Sequence, residues 1–142
     1  MPASDATDSA AVTAYLFGLK PQGQKFGIER MRPLAAALGN PERALPVIHV
    51  AGTNGKGSVS AMLDAILHAA GWRVGLYTSP HLVKLGERVQ VDRERLSDDE
   101  IAAYVRELNP IADRVAQARP EDRASFFEYM TAMAFLQFTR KH

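Results

Sequence analysis

The sequence predicts an α/β protein built on a parallel sheet, and three adjacent segments carry that prediction. Val47 to Ala51 (VIHVA) is a short, nearly continuous apolar run, the pattern of a strand covered on both faces. A glycine-rich stretch follows at once. Beyond it Val59, Met62, Leu63, Ile66, Leu67 and Ala70 fall on one helical stripe stopped by Gly71. Arg73 to Thr78 (RVGLYT) then reads as a second strand. Strand, glycine loop, helix, strand is a βαβ unit, expected to cross over right-handed with its strands parallel.

The remaining elements follow in order. Residues 1–9 are mostly small and polar and are expected to form a mobile leader, leaving residues 10–142 as the folded part. Val12, Tyr15, Leu16 and Leu19 recur at helical spacing and are closed by Gly18 and Pro21. Gly23 to Gly27 is a polar turn, after which Ile28, Met31, Leu34, Ala35 and Leu38 predict a second helix stopped by Gly39, with Pro33 limiting where it begins. Glu87 to Asp92 alternates Val89 and Val91 with polar neighbours, the pattern of a half-exposed strand. Ser97 with Glu100 fits a capping box, and Asp98 and Asp99 place negative charge where the helix dipole favours it. The helix that follows, to about Ala118, is expected to kink or divide near Pro110. Phe126 to Phe138 is apolar almost all round and predicts a buried helix.

Composition narrows the function. A chain of 142 residues with 46% hydrophobic residues supports one domain with a core and excludes disordered and collagen-like classes. Seventeen Lys and Arg against sixteen Asp and Glu leave a net charge of +1, too balanced for a nucleic-acid or anionic-membrane partner. The charges from Arg88 to Glu100 alternate in sign, a solvated surface and not a basic patch. With no cysteine there is no disulfide framework and no thiolate metal site. No apolar run reaches the roughly 18 to 20 residues of a membrane helix, and the start lacks a signal-peptide pattern, so a soluble, cytoplasmic protein is expected.

The chemistry concentrates in Gly52-Thr53-Asn54-Gly55-Lys56-Gly57-Ser58, between the first predicted strand and its helix. Glycines let a backbone wrap a phosphate with N–H groups inward, the helix presents its positive end, and Lys56 can reach terminal phosphates. The stretch departs from the general P-loop pattern. Reading Gly55-Lys56 as its Gly-Lys pair puts Val50 where the first glycine belongs and Gly57 where a hydroxyl belongs. On pattern alone, an ordinary glycine-rich turn stays open as the alternative.

That departure, after a Val-Ile-His-Val-Ala strand, resembles the phosphate loop of the Mur ligase superfamily, specifically the folylpolyglutamate synthase and dihydrofolate synthase family. Further blocks match in order: Phe26-Gly27-Ile28-Glu29-Arg30, Thr78-Ser79-Pro80-His81-Leu82, Glu87-Arg88-Val89 and Phe127-Glu128-Tyr129. The resemblance covers nearly the whole chain but only about the first third of the family's usual length. It implies a partial Mur-ligase-type ATPase domain, with the rest of that domain and a C-terminal domain following residue 142.

What the resemblance implies for individual residues is specific. Thr53, Asn54, Gly55 and Lys56 contact ATP phosphates, Gly52, Gly57 and Ser58 complete the turn, and Lys56 is the catalytic cation. Because Gly57 has no hydroxyl, Ser79 becomes the Mg2+ ligand, a role open to a hydroxyl oxygen on a hard cation; on pattern alone Ser79-Pro80 is a strand-exit turn. Gln24, Lys25 and Phe26 match the pteridine side of the substrate site, where dihydropteroate-using members can carry an acidic residue and this chain has Lys25; the alternative is a solvated turn. Ser125, Phe126, Phe127 and Glu128 match the pterin pocket. A carboxylate among those aromatics needs a partner, a ligand or a wet helix edge.

Of the histidines, only His81, in the Ser-Pro-His-Leu loop, is a substrate-site candidate. His49 reads as a satisfied core or edge residue, His68 lies on the polar helix face and His142 is terminal.

The implied reaction is ATP-dependent amide formation: a folate or dihydropteroate carboxylate takes the γ-phosphate, and L-glutamate displaces phosphate from the acyl phosphate. Its partners are those small molecules, with a monomeric full-length parent, and the fragment alone is expected not to turn over. Alternatives are a simple P-loop NTPase or kinase, which would want a strict Walker pattern, and a nucleotide-binding fragment without chemistry.

Overall fold

The computed structural model describes residues 9–19 and 28–141. Residues 1–8 of the expected leader, the substrate-site candidates Gln24, Lys25 and Phe26, and His142 lie outside the described residues.

Helix α1 spans Ser9–Gly18 and buries Val12 and Leu16. Helix α2 is shorter than predicted, Met31–Ala37, so that Pro33 falls in its first turn, where a missing N–H breaks no helical bond. A 3-10 turn, Pro41–Ala44, leads into the segment before the glycine loop, and helix α3 runs Lys56–Ala69. Strands β1 (Gly75–Tyr77), β2 (Val89–Val91) and β3 (Glu94–Arg95) form one sheet in that order. Both pairings are antiparallel, with Leu76 opposite Gln90 and Val91 opposite Glu94. The two residues joining β2 and β3, Asp92 and Arg93, have φ of 50° and 69°, the left-handed pair that a tight hairpin with matching twist requires.

Helix α4, Asp98–Ala118, opens on the predicted capping box. Ser97 Oγ accepts from the Glu100 N–H at 3.2 Å, and the Ser97 N–H donates to Glu100 Oε2 at 2.8 Å. The helix neither divides nor stops at Pro110. Pro110 and Arg106, whose carbonyl loses its partner, are both exposed, while Leu108 and Ala112 on the opposite face are buried and hold the helix to the core. Helix α5, Phe126–Lys141, lies at the centre: Met130 and Met133 are fully buried and pack with Leu16, Leu34, Val89, Val105 and Leu108. Two tyrosines, Tyr15 at 3.0 Å and Tyr129 at 2.7 Å, donate to the Asn109 side-chain oxygen within this core. Burial, and then the adjacent Tyr15 hydroxyl, push the Tyr129 phenol far above its ordinary range, so it remains a donor.

Three expectations are not met among the described residues. Residues 47–51 take no regular secondary structure and pair with no strand among the described residues, and all but the half-buried Val50 are exposed, Ile48 at 65%, where a doubly covered strand was expected. The sheet that does form is antiparallel, since β1 pairs with the later β2 and not with the segment before the loop. A parallel strand is buried only where neighbouring strands and crossover helices cover it, and none of the described residues does so here. His49, expected to be packed, is exposed with its neighbours. Helix α3 shows the same one-sidedness: Asp64 is its buried residue, paired with Arg93 at 3.4 Å, while Val59, Met62 and Ile66 face outward.

Gly86 sits where the chain turns from the loop after β1 into β2, and a Cβ built on it would lie 1.9 Å from the Leu96 carbonyl oxygen. That neighbour is backbone and cannot swing away. Gly86→Ala should therefore destabilise the protein by about 1–3 kcal/mol or more, read as a lowered denaturant midpoint or melting temperature.

Candidate functional site

The glycine loop has the geometry of an anion cradle. Gly55 takes the N-cap position of α3 in the left-handed conformation, φ 76°, which a glycine adopts without penalty, and no side chain caps the helix. The first N–H groups of α3 therefore have no intrahelical acceptor, and residues 51–59 are all exposed. Lys56 reaches back across the loop. Its Nζ donates to the carbonyls of Gly52 at 2.6 Å and Thr53 at 3.2 Å. Free amides, a helix N-terminus and a held ammonium together suit a phosphate group. Gly57 has open space around it and Ser58 is the third residue of the helix, so the stretch can admit a bulky anion.

For magnesium, the donors at hand are hydroxyls. Ser79 is exposed at the end of the segment after β1, where Ser79–Pro80 is a cis peptide. Among the described residues no group of three His, Cys, Asp or Glu side chains could hold a metal. Exposed hydroxyl oxygens are donors of the kind a hard cation accepts alongside phosphate and water oxygens.

Past Ser79 the chain is held by one carboxylate. Glu87 accepts the N–H groups of Leu82 at 2.8 Å, Val83 at 3.2 Å and Lys84 at 2.8 Å. These bonds, led by that from Leu82, hold the Glu87 carboxyl below the usual range. The next residue, Arg88, is buried, and its Nε donates to His81 Nδ1 at 2.8 Å. Its guanidinium carbon lies 5.0 Å from the centre of the Phe126 ring and 6.0 Å from that of Phe127. Phe17 stacks on Phe126 with centroids 4.9 Å apart, and its ring lies 6.1 Å from that of His81. Phe127 meets Phe126 edge-on, the rings 76° apart, and Phe17 and Phe127 are more than half exposed, so the cluster presents an aromatic wall to solvent. Beside it the Tyr77 hydroxyl meets Thr131 Oγ1 at 3.1 Å.

The predicted substrate residues thus divide. His81, Phe126 and Phe127 come together in this wall, whereas Ser125 and Glu128 form the first turn of α5. The Ser125 N–H donates to Glu128 Oε2 at 2.8 Å, and the Ser125 hydroxyl donates to the same oxygen. Ser125-x-x-Glu128 is a capping arrangement that repeats the Ser97-x-x-Glu100 signature, so this partner for the carboxylate was legible in the spacing. Sequence reasoning gave no role to Arg88 or Phe17. Arg88 was marked only as part of the Glu87-Arg88-Val89 block and Phe17 not at all, because they meet His81 and Phe126 only through the tertiary fold.

A glycine loop opening a helix, with a lysine across it, on an α/β scaffold, defines a candidate phosphate-binding protein, and the comparisons refine that class. No protein-family model matches the chain. It is 41% identical over 126 residues to the dihydrofolate synthase/folylpolyglutamate synthase of Bacillus subtilis, covering 89% of this chain and 28% of that protein. A folylpolyglutamate synthase structure from Thermotoga maritima superimposes with TM-score 0.84 at 39% identity, covering 94% of this chain and 30% of that one. A folylpolyglutamate synthase complex with AMPPCP and folate superimposes with TM-score 0.87 at 32% identity, covering 95% and 33% respectively. The chain is thus a homologue of the amino-terminal part of the folylpolyglutamate and dihydrofolate synthases, spanning about 30% of the length of those relatives.

The Glu87 clamp has a defined pH dependence. A carboxyl whose folded pKa lies below its unfolded value of about 4.3 contributes fully above that value, and its contribution is lost as pH falls through the lowered one. In an NMR titration the amide signals of Leu82, Val83 and Lys84 should move together with a midpoint below that of an ordinary glutamate. In Glu87→Gln they should not titrate.

Proposed function

We propose that this chain is the amino-terminal part of an ATP-dependent ligase that joins L-glutamate to the carboxylate of a folate or dihydropteroate through an acyl phosphate. The observation that carries the reading is the loop 52–58 with Lys56 held across it at the start of α3, in a chain related to synthases of that name. The related complex with an ATP analogue and folate supports the same substrates here. In the full-length parent, further chain would pair with residues 47–51 and complete a parallel, Mur-ligase-type sheet, which accounts for the exposed apolar residues there.

The residues divide the work by position. Gly52, Thr53, Asn54, Gly55, Gly57 and Ser58 wrap the phosphates with backbone N–H groups, and Lys56 offsets the charge that builds during transfer. Held already against the loop carbonyls, its ammonium needs little reorganisation to meet that charge. Ser79 and Ser58 are the hydroxyls available to a magnesium ion, which when bound would neutralise phosphate oxygens. In the aromatic wall, the exposed rings of Phe17 and Phe127 offer stacking or edge contacts to a pterin ring. Gln24, Lys25 and Phe26 would add to that side, and the parent would act as a monomer in the cytoplasm.

Two outcomes test this. In the full-length parent, Lys56→Ala should abolish folate-dependent ATP turnover while thermal stability changes by less than about 0.5 kcal/mol, as for other exposed positions; unchanged kinetics would remove the loop from the chemistry. Comparing Ser79→Ala with Ser58→Ala in magnesium titrations should show the larger rise in magnesium requirement for Ser79. The reverse order would move the ion to the loop serine.

A further inference from the structure

The Arg88 side chain is a buried cation that the described fold only half satisfies. It is 6% exposed, one of its two terminal nitrogens, Nη1, is buried without a hydrogen-bond partner, and no carboxylate among the described residues pairs with it. Such a group is expensive unless its donors are directed at something. Two contacts are in place: the guanidinium lies over Phe126 and Phe127, and Nε donates to His81 Nδ1.

The second contact has a chemical consequence for His81. An imidazole nitrogen that accepts a hydrogen bond carries no proton, so the ring proton must sit on Nε2. His81 is partly exposed beside Phe17, and its Nε2–H is then a donor available to a ligand. A lysine is a poorer substitute, because its compact ammonium lacks the planar guanidinium that can lie near the two rings and donate from Nε at the same time.

We propose that Arg88 is a positioning residue: it fixes His81 in the Nε2–H tautomer, so that this N–H donates to an acceptor atom of a flat heteroaromatic ligand seated on the Phe17–Phe127 wall. The identity of that ligand as the pterin end of a folate rests on the function proposed above. The tautomer does not.

Histidine ring 15N NMR on this chain reads the tautomer directly. In mildly alkaline buffer the wild type should show Nδ1 unprotonated and Nε2 protonated, Arg88→Ala should show a mixture of tautomers, and Arg88→Lys should fall between. Because Arg88 is buried, Arg88→Lys, which retains the charge and stem, is the variant to rely on if Arg88→Ala does not fold. An Nδ1-protonated wild type, or a His81 spectrum unmoved in folded Arg88 variants, would overturn the proposal. In the full-length parent, Arg88→Lys should raise the KM for folic acid by roughly tenfold, the loss of one ligand hydrogen bond, and leave the KM for ATP unchanged. Equal changes in both constants, or none in either, would overturn Arg88 as a substrate-positioning residue. A wild-type parent without folate-dependent turnover would instead defeat the functional reading, and the ring spectrum would still decide whether Arg88 sets the tautomer.

Discussion

The described structure depends on one constraint: α5 is apolar on nearly every side and must be covered all round. Helices α1, α2 and α4 take its flanks and β2 another face, so Leu16, Leu34, Val89, Val105, Leu108, Met130 and Met133 share one core. Each covering element is short or one-sided and would gain little burial alone. Where α5 needs polar company it finds it inside the core: Gln137 accepts from the Tyr104 hydroxyl at 2.6 Å, and Asn109 serves both Tyr15 and Tyr129. Gly75 is bare for the same reason, since a Cβ there would meet the Phe138 ring of α5 at 2.6 Å.

The glycine-loop half is attached differently. Helix α3 is joined to the hairpin through charges: Asp64 meets Arg93 at 3.4 Å and His68 lies 3.8 Å from Asp92. Asp92 also accepts the Val74 N–H at 3.0 Å and the Arg73 Nε at 3.1 Å, and the first of these bonds does most to hold its carboxyl below the usual range. Partly exposed pairs of this kind contribute modestly, roughly 0–1 kcal/mol each. They orient α3 without burying it, and its apolar stripe stays outside with Val47 and Ile48. The glycine loop at its N-terminus keeps its own shape nevertheless, because the Lys56 bonds to the Gly52 and Thr53 carbonyls all fall within residues 52–58.

The site and the scaffold meet between β1 and β2. There Glu87 gathers three successive amides, Gly86 passes against the Leu96 carbonyl, and Arg88 turns inward under the aromatic wall. Three consecutive residues thus do three different things: one closes a loop, one allows close approach of backbones, and one orients a histidine.

The sequence by itself determined whatever depends on near neighbours along the chain. The helical stripes, the Ser97–Glu100 box, the glycine-rich loop that opens α3 and the nearly all-round apolar character of α5 were legible, because helix periodicity, capping and glycine turns are set within a few residues. The spacing of Ser125 and Glu128 carries the same signal, but the resemblance drew Glu128 to the pterin pocket instead, and the structure shows its carboxylate bonded to Ser125. Only the tertiary structure decided which strands pair, since the apolar run of residues 47–51 looks the same whether or not neighbours cover it, and β1 found an antiparallel partner in Val89–Val91. It likewise decided that α4 runs unbroken through Pro110, because packing of Leu108 and Ala112 outweighs one lost hydrogen bond. And it alone brought Phe17, His81, Arg88 and Phe126 together from three separate stretches of chain, a meeting that no local spacing encodes because its energy comes from burial and long-range contact.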